Sequence, residues 1–355
     1  MVSRKSLPPL LATGGVIGLL AIVLMKLGNP ANMGICVACF IRDTAGALGL
    51  DSAANVQYIR PEIIGFIGGS FIISMLRKEF RPSGGSSPLL RFVIAFFVMI
   101  GALVFLGCPL RMVLRLAAGD MNAVVGLAGF AGGIGLGSVM LTKGFSLGRA
   151  TQQSQVSGFV VPAFAGALLA FLLIQPAFIR FSVEGPGAAH APVAIALAAG
   201  LLIGALAQRS RMCMAGGIRD AFLIKNFNLL LGYIAVFAVA LIGNMVIGNF
   251  NLSMTGQPIA HTDFIWNFLG MALVGYGSVL IGGCPLRQVI MAGEGSTDAG
   301  ISLFGMLCGG ATAHNFGLAA SAAGVPVNGQ IAVVIGLAVL TIIAFSHTKS
   351  LKGAA

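Results

Sequence analysis

One five-residue motif of reactive and charged residues occurs twice in this chain. Gly-Cys-Pro-Leu-Arg surrounds Cys108 in the first half of the chain and Cys284 in the second half. Proline continues a preceding helix only at high cost and fits best in the first turn of a new helix. We therefore predict that short helices begin at Pro109 and Pro285. The two cysteines would then lie at helix caps, where free backbone N–H groups attract negative charge.

A second motif, Cys-x4-Ile-Arg-Asp, also occurs twice, starting at Cys36 and at Cys213. Its two copies are separated along the chain by almost the same distance as the two copies of the first motif. In each copy an arginine, Arg42 or Arg219, directly precedes an aspartate, which predicts a local ion pair. Cys39 adds a second cysteine to the first copy only, so a paired-thiol role is open on one side of the molecule.

These residue types together favour the handling of a soft anion. Arg111 and Arg287 stand one turn into the predicted short helices and add permanent cations. A neutral thiol is a weak donor and a weak acceptor, so several thiols could pass on a polarisable sulfur- or selenium-bearing anion without holding it tightly. The cysteines must then be thiols, because thiolates would repel the anion. The usual zinc spacings are missing, and we predict no metal and no cofactor.

Two other polar features are ambiguous. His314 and Asn315 lie in a predicted span, where a polar pair is either functional or a hydrogen bond between helices. Cys308 has no counterpart in the other half of the chain, and we interpret it as a small buried apolar residue.

The composition requires a membrane around these motifs. Hydrophobic residues make up 57% of the 355 residues and charged residues 9%, against about 25% charged in a typical soluble domain. The chain is therefore predicted to be an all-α integral membrane protein in contact with lipid. The net charge of +11 fits cytoplasmic loops better than nucleic-acid binding. About ten spans are predicted, near residues 9–27, 62–76, 89–107, 122–141, 156–179, 192–207, 229–250, 264–283, 299–320 and 325–345.

The distribution of basic residues predicts the orientation of these spans. With the N-terminus inside, fifteen of the 21 Lys and Arg residues fall in inside segments and six in outside segments. This bias predicts a multi-pass protein of the cell inner membrane with both termini cytoplasmic. The apolar run after Pro8 has no convincing cleavage site, so we interpret it as a retained span rather than a signal peptide.

The duplicated motifs divide the chain into two membrane repeats, residues 1–180 and 181–355. Five spans in each repeat, an odd number, would place the repeats in opposite orientations. Inverted repeats with a site near the membrane midplane are the architecture of many secondary transporters. The duplicated cysteine segments are predicted to be four short re-entrant half-helices that line a path.

At these cysteine motifs the chain resembles the YeeE/YedE sulfur-transport family over nearly its full length, and most closely its YedE branch of selenium transporters. The resemblance implies an hourglass-like helical protein whose short re-entrant helices meet at the centre. It also implies that cysteines contact a passing ion such as thiosulfate. By motif this role falls on Cys108 and Cys284, then on Cys36 and Cys213. The resemblance further raises the hypothesis that a cytoplasmic sulfur-carrier protein is a partner.

Three classes of function fit these features unequally. The first is a transporter, not an enzyme, for a selenium species or a thiosulfate-like anion. The second is a transmembrane thiol–disulfide carrier of reducing equivalents, for which Cys36 and Cys39 provide an exchange pair. An integral sulfurtransferase ranks last, because no histidine or carboxylate stands in a repeated position beside Cys108 or Cys284. The arginines that follow the cysteines favour the transporter.

Overall fold

The computed structural model describes residues 7–348, which form fifteen α-helices and one small sheet. Four of the 21 basic residues counted for the orientation lie outside the described residues, namely Arg4, Lys5, Lys349 and Lys352. The first seven helices are α1 (Leu7–Lys26), α2 (Val37–Ala47), α3 (Pro61–Leu76), α4 (Pro88–Phe105), α5 (Pro109–Ala117), α6 (Asn122–Thr142) and α7 (Gln155–Ile174). The others are α8 (Gly185–Ala188), α9 (Val193–Ser210), α10 (Met214–Ile224), α11 (Asn228–Val246), α12 (Phe264–Leu280), α13 (Pro285–Gly293), α14 (Thr297–Asn315) and α15 (Val327–Ser346). Strands β1 (Ser83–Gly84) and β2 (Thr151–Gln152) pair antiparallel in a loop region.

Each of the ten predicted spans corresponds to a helix. Among residues 7–348, eight helices are long and apolar enough to cross a membrane, so the protein is an all-α membrane protein. The other two predicted spans are α3, which is apolar but has 16 residues, and α14, which has 19 residues and more polar side chains. Helix α14 ends at Asn315 and α11 ends at Val246, so the predicted spans there extend several residues too far.

The helices follow one another in two series of the same order. Long, short, long, long, short, long and long helices run from α1 to α7 and again from α9 to α15. Corresponding helices begin at a nearly constant separation along the chain, as the starts of α2 and α10 and of α5 and α13 illustrate. The short four-residue helix α8 separates the two series. The opposite orientation of the two repeats in a membrane stays a prediction.

The main helix contacts join one series to the other. Helix α1 packs on α11, and their respective counterparts α9 and α3 also pack together. In the same way α6 packs on α12, while α14 packs on α4. The four short helices α2, α5, α10 and α13 lie within this framework. The core is therefore shared by both halves of the chain.

Glycines allow this close packing, as the contact between α6 and α12 illustrates. Gly133 is buried, and a Cβ atom there would overlap the backbone carbonyl oxygen of Ala272. The neighbouring Gly132 is exposed, and a Cβ atom there would meet only the Phe268 ring at 3.8 Å, an ordinary contact. Small residues at membrane helix interfaces are the usual means of bringing backbones together.

These adjacent glycines give opposite predictions for the same substitution. We expect Gly133→Ala to destabilise the protein by about 1–3 kcal/mol, because the helix backbones must separate. Gly132→Ala should be neutral or slightly stabilising, since alanine favours a helix by roughly 1 kcal/mol over glycine. The apparent unfolding temperature of each purified variant in detergent measures this difference. Equal effects at both positions would contradict the packing argument.

Candidate functional site

The four cysteines that begin the repeated motifs occupy one structural position. Cys36, Cys108, Cys213 and Cys284 are the N-cap residues of α2, α5, α10 and α13, each with an extended backbone, and all four are buried. The cap position predicted for Cys108 and Cys284 is confirmed, and a proline is the first helical residue after each of these two. We call these four short helices the half-helices. The free N–H groups at their starts are adjacent to the sulfur atoms.

Two of these thiols lie side by side where α10 and α13 begin. The Cys213 sulfur accepts the backbone N–H of Gly216 at 3.3 Å and that of Cys284 at 3.5 Å. The starts of two half-helices therefore meet at a pair of thiols. Cys108, from the first half of the chain, lies within electrostatic range of Cys284, and we call Cys108, Cys213 and Cys284 the cysteine cluster.

The remaining two cysteines are joined to each other. Cys36 and Cys39 form a disulfide with Cα atoms 5.3 Å apart. Arg111 on α5 extends to this pair, and its Nη1 lies 3.6 Å from the Cys39 sulfur. The Cys-x-x-Cys of α2 and the arginine of α5 are thus brought together by the fold.

Arg111 is a buried cation without a carboxylate partner. The residue is 0% exposed, and among the described residues no carboxylate oxygen lies within 4.0 Å of its guanidinium. Its guanidinium donates instead to the backbone carbonyls of Asn32 at 3.0 Å, Ile259 at 3.2 Å and Leu106. Neutral acceptors solvate the charge but do not neutralise it, so a positive field remains at this point.

The equivalent arginine of the second repeat has a different environment. Arg287 forms an ion pair with Glu294, with Nη1 and Oε1 2.9 Å apart, and the second carboxylate oxygen of Glu294 accepts from Arg211 at 2.8 Å. The position that matches Glu294 in the first repeat is Ala118. One arginine of the repeated pentapeptide is therefore neutralised and the other is not.

Arg42 and Arg219 form the predicted local ion pairs with nearly the same geometry. In each, Nε and Nη2 approach one oxygen of the following aspartate, at 2.9 and 2.6 Å for Arg42 and at 2.9 and 2.7 Å for Arg219. These contacts confirm the pairing, and both arginines are thereby occupied. Asp43 is fully buried and also accepts from Arg60 at 2.7 Å, whereas the pair in the second repeat is partly exposed.

A cavity of about 450 Å³ opens beside the ends of α3, α9 and α13. Its lining includes Glu79, Arg211 and Glu294, which are linked because Arg211 contacts both carboxylates, at 3.2 and 2.8 Å. Glu79 lies in the loop after α3, where hydrogen bonds from Gln208 and then Arg77 lower the pKa of its carboxyl group. This carboxylate therefore stays ionised at neutral pH, and the cavity carries charges of both signs.

Sequence reasoning missed two residues of this region, Tyr233 and Glu294. Tyr233 on α11 is 2% exposed. Its hydroxyl lies beside Cys284 and within electrostatic range of Cys213. Tyr233 belongs to neither motif, and a lone tyrosine in an apolar run gives no signal. Glu294 could have been noticed, since the chain has only ten acidic residues and this one follows a predicted half-helix.

The structure also corrects the interpretation of residues on α14. Cys308 is exposed, so its interpretation as a buried apolar residue is wrong. His314 and Asn315 lie in the last turn of α14; Asn315 is exposed and donates to the carbonyl of Leu50 at 2.9 Å. Among residues 7–348, no group of three or more His, Cys, Asp or Glu side chains is placed to hold a metal ion.

Comparison with known proteins concerns the part of the chain that contains two of these half-helices. The family model described as "Sulphur transport" matches residues 209–349. This segment, about two fifths of the chain, is therefore similar to the sulfur-transport family. The resemblance to the sulfur-transport family inferred from the cysteine motifs is confirmed for this segment, which contains Cys213, Cys284 and Arg287.

Two curated relatives of this chain are described as thiosulfate transporter TsuA. The protein from Escherichia coli (strain K12) is 30% identical over 108 residues, which cover 30% of this chain and 30% of that protein. The protein from Spirochaeta thermophila (strain ATCC 700085 / DSM 6578 / Z-1203) is 31% identical over 104 residues, or 29% of this chain and 31% of that protein. The chain thus spans less than a third of the length of either relative in these matches.

Proposed function

We propose that the protein takes up a small sulfur- or selenium-containing anion, such as thiosulfate or a selenium species, across the membrane. The observation that carries this proposal is that four half-helices each begin with a buried cysteine. Sulfur atoms and free N–H groups then share one region of the core, and both suit a polarisable anion. The thiosulfate transporters among the relatives support the same substrate class.

The residues have separate roles in this proposal. The thiols of Cys108, Cys213 and Cys284 provide successive weak contacts, and Cys36 belongs to the same path when it is reduced. Weak and repeated sites suit passage better than one deep site. Pro109 and Pro285, as first helical residues, fix where the half-helices begin.

Arginines supply the charge in this path. Arg111 attracts the anion from within the core, because its charge is not neutralised by a carboxylate. Arg287 acts near the mouth beside the cavity. Arg42 and Arg219 hold α2 and α10 in place through their aspartates and contribute to the path indirectly.

The orientation in the membrane belongs to this proposal as well. We place the protein in the cell inner membrane with both termini cytoplasmic and with inverted repeats at residues 1–180 and 181–355. The cavity bounded by Glu79, Arg211 and Glu294 then faces the cytoplasm. A cytoplasmic sulfur-carrier protein that accepts the substrate would dock on that side.

Uptake of labelled thiosulfate and, separately, labelled selenite tests the proposal in cells that express the protein. We expect one label to accumulate above the level of cells without the protein. Cys108→Ala and Cys284→Ala should each lower this uptake roughly tenfold, since each removes one weak contact to the anion and about 1.4 kcal/mol corresponds to tenfold. Cys308→Ala is the matched control, because Cys308 is exposed and outside the cluster.

The amount of each variant in the membrane must equal that of the wild type for this comparison. If neither label enters cells above background, uptake of these anions is wrong as the function. If uptake occurs and survives both cysteine substitutions, the transported anion does not depend on these thiols.

A thiol–disulfide carrier is the second candidate, and the Cys36–Cys39 disulfide favours it. Such a carrier would cycle this pair between thiol and disulfide as it exchanges electrons across the membrane. Alkylation of free thiols in intact cells, before and after an external oxidant is added, distinguishes the two. A carrier predicts that the number of reactive thiols changes with the oxidant in wild type but not in Cys39→Ala.

A further inference from the structure

Tyr233 carries a buried hydroxyl group that the fold leaves unused. The residue is 2% exposed, and its hydroxyl oxygen has no hydrogen-bond partner in the part of the chain that the structure describes. Burying a hydroxyl group without a partner costs free energy, and such groups are uncommon in native proteins. An anion oxygen bound beside the Tyr233 hydroxyl would remove this cost.

Tyr233 stands on the part of α11 that packs against the start of α10, where a Cβ atom at Gly232 would lie 3.6 Å from Cε of Met212, the residue before Cys213. Its hydroxyl is near the cysteine cluster. It lies beside Cys284, without the geometry of a hydrogen bond, and it is within electrostatic range of Cys213 and Cys108. These three cysteines are N-cap residues of three half-helices from both halves of the chain. Tyr233 is therefore a hydroxyl donor at the point where the half-helix starts come together.

Only one repeat has this donor. Tyr233 is the sixth residue of α11, and the sixth residue of the corresponding helix α3 is Phe66, which is fully buried. The two aromatic rings fill matching places in the two halves, and they differ by one hydroxyl group. Packing alone does not require this group, since phenylalanine fills the matching site.

We propose that the Tyr233 hydroxyl donates a hydrogen bond to an oxygen atom of the transported anion at the Cys213–Cys284 pair. This inference rests on the proposed transport function and narrows its substrate to an oxyanion of sulfur or selenium. A phenolic O–H is a strong donor to an anionic oxygen, whereas the thiols suit the softer chalcogen atom. The site thus contacts both ends of an anion such as thiosulfate, and a chalcogenide without oxygen gains nothing from Tyr233.

The test compares two tyrosine substitutions. Tyr233→Phe removes the proposed donor, and Tyr276→Phe removes the hydroxyl of another fully buried tyrosine that lacks a partner among the described residues, on α12. The hydroxyl of Tyr276 lies near Thr341 of α15, which is not a half-helix. Initial rates of labelled thiosulfate uptake are measured over a range of concentrations in cells with equal amounts of each protein.

We expect Tyr233→Phe to raise the apparent KM roughly tenfold to a hundredfold. This range corresponds to the usual free-energy contribution of a hydrogen bond to a charged group. The KM of Tyr276→Phe should equal that of the wild type. An unchanged KM for Tyr233→Phe would overturn the proposal, and so would equal changes in both variants, which would indicate a structural role of buried hydroxyl groups. A wild type that takes up no thiosulfate would instead refute the proposed function.

A competition measurement on the wild type covers the case in which Tyr233→Phe fails to reach the membrane. Unlabelled sulfite, which carries oxygen, should inhibit labelled thiosulfate uptake, whereas hydrosulfide at the same concentration should inhibit it at least about tenfold less. Equal inhibition by the two anions would show that oxygen is not recognised and would overturn the proposal.

Discussion

If the protein takes up thiosulfate as proposed, this uptake should fall roughly a hundredfold when Arg111 is replaced by glutamine. Arg111 is fully buried and is hydrogen-bonded to backbone carbonyls, with no carboxylate within 4.0 Å among residues 7–348. An anion that enters the cysteine cluster would provide the missing negative charge. Loss of one partner of a buried charge pair costs about 2–5 kcal/mol, and about 2.8 kcal/mol corresponds to a hundredfold.

Arg287→Gln is the matched control for this prediction, because the repeat places the same arginine in a neutralised setting. Its partner Glu294 lies 2.9 Å away, so the anion gains less from it, and we expect a loss of a few-fold at most. Arg111→Lys should retain more uptake than Arg111→Gln, since the charge remains. Equal losses in Arg111→Gln and Arg287→Gln, at equal amounts of protein in the membrane, would contradict the assignment.

The largest loss of stability is expected from Asp43→Asn. The Asp43 carboxylate is fully buried and holds two cations, Arg42 at 2.6 Å and Arg60 at 2.7 Å. Arg60 is itself fully buried and also donates to the carbonyls of Ala189 and Pro186, which joins α2 to the segment before α9. Removal of the carboxylate charge leaves two buried cations without compensation. We expect a loss of about 3–5 kcal/mol in the free energy of unfolding.

Asp220→Asn is the same substitution at the corresponding place in the second repeat. The side chains of Arg219 and Asp220 are 32% and 20% exposed, and Asp220 has one cationic partner among the described residues. Because exposed pairs contribute about 1 kcal/mol or less, the apparent unfolding temperature in detergent should hardly change. A larger drop in unfolding temperature for Asp220→Asn than for Asp43→Asn would show that burial does not control how much these ion pairs contribute to stability.

The helices and their order could be predicted from the sequence because each helix is determined by residues that are close together along the chain. Apolar runs of about 20 residues have few alternatives to spanning helices, since unsatisfied backbone groups are too costly in lipid. Proline after Cys108 and Cys284 fixed the start of α5 and α13, and the N-cap position of both cysteines followed directly. Identical motifs at a constant separation indicated the duplicated series without any knowledge of packing.

The environment of the site residues could not be predicted, because it depends on distant segments. Arg111 and Arg287 stand in identical pentapeptides, yet Arg111 contacts the carbonyls of Asn32 and Ile259, whereas Arg287 pairs with Glu294. The proposed role of Tyr233 as a hydrogen-bond donor depends on which face of α11 is turned toward the half-helices. Apolar residues surround it in the sequence, so periodicity does not reveal that direction.

The main contacts of several helices are with helices of the other series, and this has a consequence for biosynthesis. Helix α1 is made before its main partner α11, which follows the whole first series, and α3 is likewise made before its partner α9. Until then the glycine-lined faces of the early helices are open to lipid. A ribosome that stalls midway would therefore leave membrane-inserted helices that cannot complete a core. Each series, if expressed as a separate fragment, lacks the partners of its most extensive helix contacts, so the two fragments should accumulate only when they are produced together.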